Sequence, residues 1–265
     1  MPIIDHEALI KPTPEQIIWR YLDLDKFESI LMDKGLFFCR SDKFSDPFEG
    51  TIPKRESEYR IITERRMAQF HKREMTHEEA VKKSEEMGNL HKRFRRAFIV
   101  NCWHINQGES DAMWRLYLKT NEGVVIQTTV NKLRESFDNS EEEIYISKVR
   151  YLDYEKKIWF HENDYPIRNY NLFTPIVHKR TAFAHENELR IFQQINEAVH
   201  NEKYWDDKSN YMGNLISCNI EHLIEKVIIP PTADEQIKNK VEEILKKHGL
   251  NREIEKSKLN EEPYY

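Results

Sequence analysis

The 265-residue sequence predicts a mixed α+β fold, with mainly antiparallel sheets and one helical insertion. Three observations carry that expectation. Short apolar runs and short helical periods follow one another unevenly, where a doubly wound sheet would alternate them regularly. From about residue 54 to 96 the chain holds helix formers throughout and no proline, as an inserted helical pair would. Glycine is scarce, seven residues in all, and neither GxGxxG nor GxxxxGK[ST] occurs, so a bound nucleotide would be held by side chains. No Pro/Gly/Ser-rich linker divides the chain, and residues 1–265 read as a single domain.

The elements follow in order. Ile17 to Leu22 reads as a strand; Asp23 or Asp25 then caps a helix whose Phe27, Ile30 and Leu31 form an apolar stripe, and Gly35 is expected to stop it in the left-handed position. Leu36 to Ser41 is the next strand. The loop Asp42 to Gly50 sets polar residues between Phe44 and Phe48, which would plug it to the core while Asp46 and Glu49 reach a ligand. Within the insertion, Thr76 and Glu79 match a capping box. Ala97 to His104 is a strand, Ser110 caps a helix bearing Met113, Trp114, Tyr117 and Leu118, and Gly123 should end it. Val124 to Thr129 returns as a strand, Val130 to Phe137 as a brief helix, and Glu143 to Leu152 as one alternating strand. Asn171 to His185 is expected to be a helix carrying Lys179 and Arg180. Two strands, Leu215 to Ile220 and Lys226 to Ile229, precede a helix capped from Thr232 to Glu235 and ended by Gly249; Glu253 to Leu259 would add an edge strand.

Charge is abundant but nearly balanced, 33% charged residues with a net −5, which excludes a polycation that coats nucleic acid. It is unevenly spread: Lys54 to Arg96 holds 13 Lys/Arg and 8 Asp/Glu, a local +5 that leaves −10 elsewhere. That basic stretch reads first as a solvated helical face, second as a surface for nucleic acid or an acidic partner. No apolar run reaches membrane-span length and the first residues lack signal-peptide character, so a cytoplasmic protein is expected. Cys39, Cys102 and Cys218 are widely spaced with no CxxC pair and read as free thiols; His104 finds no partner at zinc-motif spacing, so no metal site is expected.

The most informative stretch is Phe183 to Phe192. Strand alternation would put Glu186, Glu188 and Arg190 on one face, two carboxylates and a guanidinium together. Like charges side by side raise carboxyl pKa values and cost stability unless a cation or ligand compensates. An exposed, salt-bridged strand face is the plain alternative to a ligand site.

Several blocks taken together resemble a bacterial family, the domain of unknown function 2971. They are Trp19-Arg20-Tyr21, Arg40 to Glu49, Cys102-Trp103-His104, Glu109-Ser110 with Met113-Trp114 and Tyr117, then Gly123, Tyr151, Lys179 and Glu186-Asn187-Glu188-Leu189-Arg190, spanning about residues 17 to 259. That family in turn resembles, more distantly, the ADP-ribosyltransferase superfamily, in which an Arg or His, a Ser-containing strand and a Glu-x-Glu or lone Glu surround NAD. The resemblance implies an ADP-ribosyltransferase-like core with Arg20 in the first role, Ser41 in the second, and Glu186 and Glu188 in the third. The Ser-Thr-Ser pattern is absent here, and the basic insertion is foreign to the minimal transferase core.

The implied chemistry suits these residues. Cleavage between ribose and nicotinamide develops an oxocarbenium cation, to which a carboxylate such as Glu188 is complementary. Glu186 would orient or deprotonate the nucleophile. Arg20, with Arg40, Lys179 or Arg190, would neutralise the pyrophosphate, and Tyr21, Trp103 or Trp114 would stack on a base. The expectation is an NAD-using ADP-ribosyltransferase or NAD glycohydrolase, a toxin or phage-defence effector, acting on a nucleic-acid or protein acceptor. Its rivals are a non-catalytic module binding a nucleotide or nucleic acid through residues 54–96, and a degenerate scaffold whose Glu186, Glu188 and Arg190 merely pair.

Overall fold

The computed structural model describes residues 3–118, 122–159, 171–201, 210–263 and 265. Strand β1 (Ile3–Ile4) precedes β2 (Ile17–Asp23), whose last residue caps α1 (Leu24–Asp33) by accepting from the Lys26 amide. Phe27, Ile30 and Leu31 bury together as the spacing predicts. The helix ends through Lys34 in the left-handed region (φ 47°), not through Gly35. Gly35 instead opens β3 (Gly35–Arg40), where a Cβ would stand 2.7 Å from the Ile216 carbonyl oxygen, so the glycine answers a close strand approach.

The insertion is a helical hairpin of α2 (Lys54–Phe70) and α3 (His77–Phe94), and both reciprocal bonds of the Thr76/Glu79 capping box form. Then come β4 (Phe98–Ile105), α4 (Asp111–Tyr117) capped by Ser110, β5 (Gly123–Thr129) and α5 (Val130–Glu135). Gly123 starts β5 and does not end α4; a Cβ there would lie 2.5 Å from the Leu22 carbonyl oxygen.

The expected strand over 143–152 is two strands, β6 (Ile144–Lys148) and β7 (Arg150–Leu152). At the break, the Val149 amide donates to the Glu188 carbonyl at 2.9 Å and the Arg150 amide to the Val177 carbonyl at 2.8 Å, so the chain leaves one sheet for another. The helix expected from Asn171 to His185 does not form. Pro175 sits in a 3₁₀ turn (Thr174–Ile176), β8 (His178–Arg180) pairs in parallel with β7, and a second 3₁₀ turn (Thr181–Glu186) leads to β9 (Glu188–Gln194). Proline has no amide to donate and disfavours the helical region for the residue before it, and the backbone after it finds its partners in β7. The chain closes with α6 (Asn196–His200), β10 (Gly213–Ser217), α7 (Ile220–Leu223), β11 (Lys226–Ile229), α8 (Glu235–Lys247) and β12 (Ile254–Lys256). Asp234, not Thr232, caps α8, and Gly249 beyond its end takes φ 69°.

The architecture is α+β. The main sheet runs β1-β6-β9-β4-β2-β5-β11-β12, with β3 and β10 attached beside β4. Pairing is mostly antiparallel; β1–β6 and β11–β12 are parallel, as is the separate β7–β8 ribbon. One face packs on α1, α5 and α8 through Ile18, Leu22, Ile99, Trp103, Ile126, Leu189 and Ile191. The other carries Tyr21, Trp114 and Met113 from α4 at one end, and Phe98, Val100 and Phe192 under Ile176 and Val177 at the other.

One feature of this sheet positions the site. Along one edge β4 meets β2 at Ile105 and His104, then β3 at Val100 and Ile99, so β2 and β3 diverge as a fork. Side chains bridge the gap: one Arg20 guanidinium nitrogen donates to Asn101 Oδ1 (2.8 Å) and the Cys102 carbonyl (2.7 Å), while Asn101 Nδ2 donates to the Phe37 carbonyl (2.9 Å). No helix among the described residues is long and apolar enough to cross a membrane.

Candidate active site

A cleft of about 610 Å³ opens at this fork. Its lining runs from Ile30, Phe37 and Leu215 past Arg20 and Tyr21 to Cys102, His104, Tyr117, Lys179, Glu186, Glu188 and Arg190. Arg20 and the paired glutamates therefore share one recess, and Ser41, the other residue that the resemblance implies, is not in its lining.

Alternation along β9 begins only at Glu188. Glu186 lies in the preceding 3₁₀ turn, and Asn187 between the two adopts a left-handed φ of 36°. Asparagine tolerates that region better than most residues, and its Nδ2 donates to the Ile105 carbonyl at 2.6 Å. The reversal brings both carboxyls to Lys179, whose Nζ lies 2.5 Å from Glu186 Oε2 and 2.6 Å from Glu188 Oε1. Lys179 arrives on β8, held in register against Tyr151 of β7; the Tyr151 hydroxyl accepts from the Glu188 amide at 2.9 Å.

Arg190 completes the cluster. Its Nε donates to Glu188 Oε2 (2.6 Å), and its NH1 to Glu49 Oε1 (2.5 Å) and the Ile176 carbonyl (2.6 Å). Three carboxyl groups thus face two cations in a buried setting. Burial pushes the Glu186 carboxyl up to about 8, and the adjoining Glu188 adds to the rise against the opposing pull of Lys179. Burial acts the same way on Glu188, but Arg190, the hydrogen bond from Glu186 and the charge of Lys179 hold it well below the usual carboxylate range. A proton on Glu186 leaves two charges of each sign, which is how so dense a cluster escapes the full cost of desolvation.

Around the cluster, His104 Nδ1 donates to the Glu186 carbonyl at 2.6 Å, which leaves Nε2 as the bare nitrogen; burial lowers its pKa. The Tyr21 hydroxyl accepts from the Ser110 amide (3.0 Å), and burial pushes it up to about 12. Tyr117 lines the cleft, 45% exposed as a residue, and its phenol is raised first by burial and then by Glu186. Arg20 has no carboxylate partner among the described residues, in contrast to Lys179 and Arg190.

Of the other expected site residues, Ser41, Arg40 and Trp114 lie outside the cleft lining, while Trp103, Asp46 and Glu49 belong to it. Ser41 is buried with its hydroxyl donating to the Arg95 carbonyl, and Arg40 is fully buried in a bidentate pair with Asp42 (2.5 and 3.1 Å); neither lines the cleft. Trp114 is buried edge-on against Tyr21, its indole nitrogen donating to Glu109 (3.0 Å), so its ring is not offered to a ligand. Trp103 lines the cleft but is buried, its ring 5.7 Å from the Arg20 guanidinium carbon. In the 42–50 loop, Asp46 and Glu49 do line the cleft, each paired with an arginine, Arg180 and Arg190 respectively, whereas Phe48 is an exposed ring under Arg180 rather than a core plug.

Sequence reasoning named Tyr117 on its helix without giving it a role in the site, and gave none to Phe183, whose ring lies 4.8 Å from Lys179 Nζ. Periodicity could not separate Tyr117 from Met113 and Trp114, because it occupies the last helical residue, where the stripe runs out of core to cover. Among the described residues no group of three or more His, Cys, Asp or Glu could hold a metal, and the three cysteines are free thiols.

Residues 113–191 match the model of a family described only as a protein of unknown function, DUF2971. The matched span holds Tyr117, Lys179, Glu186, Glu188 and Arg190. No curated protein and no solved structure matches the chain.

Proposed function

We propose that the cleft binds a dinucleotide and that the protein is an NAD-using ADP-ribosyltransferase or NAD glycohydrolase. The observation that carries this reading is the carboxyl pair in the cleft wall, Glu186 and Glu188 both within 2.6 Å of Lys179 Nζ, where burial raises Glu186 while Arg190 and Lys179 keep Glu188 ionised. Two carboxyls pushed apart in this way are equipped for different tasks in one reaction.

Glu188, kept anionic by Arg190 and Lys179, stabilises the ribosyl cation that develops as the bond from C1′ to the nicotinamide nitrogen breaks. The bonding pair leaves with the nicotinamide ring, which becomes neutral. Water or an acceptor hydroxyl adds to C1′, and ionised Glu186 takes its proton; a base of pKa near 8 combines strength with a populated basic form. Arg20 supplies the cation for the pyrophosphate, since its charge is not already matched by a carboxylate. Tyr117 offers the ring on which a base stacks.

A second reading has its own observation. Both Glu188 oxygens are already engaged, by Lys179 and Arg190, as in a cluster that only holds the sheet together. Nicotinamide release from NAD by the pure protein separates the two. The transferase reading expects release that Glu188→Gln lowers at least about a hundredfold while the variant stays folded. Absence of release, or equal release by both proteins, supports the scaffold and removes the assigned role.

A further inference from the structure

We propose that the outer face of α2 is a docking surface for single-stranded nucleic acid. This goes beyond the cleft and does not depend on its chemistry. Residues 55, 59, 62, 66 and 70 recur at three- and four-residue spacing, so Arg55, Tyr59, Ile62, Arg66 and Phe70 share one stripe. All five are exposed, Phe70 to 79%.

The opposite side of α2 is the one that meets α3. Ala68 is buried there, the Ser57 carbonyl accepts from Ser84 Oγ (3.4 Å), Arg60 meets His91 (3.3 Å) and Glu64 pairs with Lys83. Charge is sorted the same way. Of the three acids on α2, Glu56 is buried and accepts from the Trp159 amide, and Glu64 is tied to α3, leaving Glu58 as the exposed one. The bases Arg55, Arg65 and Arg66 face solvent, and in the turn Lys72 and Arg73 outnumber the exposed Glu74. α3 balances four Lys/Arg against four Glu, so three of the insertion's five net positive charges belong to α2 and the turn after it, the other two being Arg95 and Arg96 beyond α3.

Complementarity selects the occupant. Rings alternating with arginines match a strand whose bases are free to stack and whose phosphates neutralise the guanidinium groups. Tyr59 and Phe70, eleven residues apart, stand about 16 Å from each other along the helix, a span of a few nucleotides. A second copy of this face would set like charges against like. α2 also lacks the strong amphipathicity of helices that lie in lipid headgroups.

Fluorescence anisotropy of a short labelled single-stranded DNA titrated with the full chain tests the proposal, with a duplex of the same sequence beside it. Expected is preference for the single strand, with affinity falling log-linearly with salt. Replacing Tyr59 and Phe70 by Ala should weaken binding about tenfold with the salt slope unchanged. Replacing Arg55 and Arg66 by Ala should flatten that slope by about 1.4. Helicity by circular dichroism shows that the hairpin persists in both variants. Binding that ignores salt, equal affinity for duplex and single strand, or wild-type affinity in both variants overturns the proposal. So does capture by phosphatidylglycerol vesicles, or dimerisation lost in the Tyr59/Phe70 variant, where no oligonucleotide binds.

Discussion

Glu186 carries opposing demands in one carboxyl. Its pKa, raised to about 8 in the folded protein, stands far above that of the unfolded chain, so between those values the folded state holds a proton that the unfolded state has lost. Stability contributed by that proton is fully present below the unfolded pKa and is lost as pH rises through about 8. His91 and His178, both lowered to about 4, act in the opposite sense, but their contribution is complete once pH passes the unfolded histidine value near 6.5. From about pH 6.5 to 8.5 Glu186 therefore leads the change, with the buried thiols Cys39, Cys102 and Cys218, also raised by burial, adding a loss only toward the upper end, which the Glu186→Gln comparison subtracts. Thermal melts should show the wild type losing stability across it, and Glu186→Gln showing a flatter profile. Nicotinamide release should rise over the same range as the base form accumulates, with the rise absent in Glu186→Gln. A wild-type melting temperature independent of pH there would mean that the glutamate pair shares no proton.

At the scale of elements, the turn from β8 to β9 decides whether the cluster exists. Sequence alternation correctly grouped Glu186, Glu188 and Arg190, yet for a reason that does not hold at Glu186, which reaches the cluster through the left-handed Asn187 and not along a strand. What was legible was residue chemistry: a carboxyl pair needs a cation, and Lys179 and Arg190 are there. What was hidden was tertiary pairing. Nothing local distinguishes the 171–185 segment from a helix apart from Pro175, because its strand exists only through parallel contact with β7. Ser41 was placed by resemblance and Arg40 by its charge, and both are instead taken up by partners outside the cleft lining, the Arg95 carbonyl and Asp42. At Asn187, alanine loses the bond to the Ile105 carbonyl and strains the left-handed backbone, while glycine loses only the bond. Chemical denaturation should find Asn187→Ala less stable than Asn187→Gly by about 1 kcal/mol. Equal values would show that the turn relaxes out of the left-handed region.

Across the whole molecule, the expected α+β class and the helical insertion are present, and the feature that sequence did not reveal is the fork. A strand that changes neighbour along one edge leaves a wedge in the sheet, and here polar side chains fill part of it. Arg20 and Asn101 span the wedge, the carboxyl cluster closes one end, and Phe37 with Leu215, cross-strand neighbours on β3 and β10, flanks the other. The cleft thus lines one recess with a carboxyl pair, an arginine without a carboxylate partner among the described residues, and apolar surface, the chemical groups that the proposed dinucleotide would require. The most direct measurement is a crystal structure of the protein with carba-NAD, which cannot release nicotinamide. The account predicts the nicotinamide ribose within hydrogen-bond reach of Glu188 and the pyrophosphate on Arg20. An analogue bound outside the fork, or a cleft still empty at saturating analogue, would contradict it.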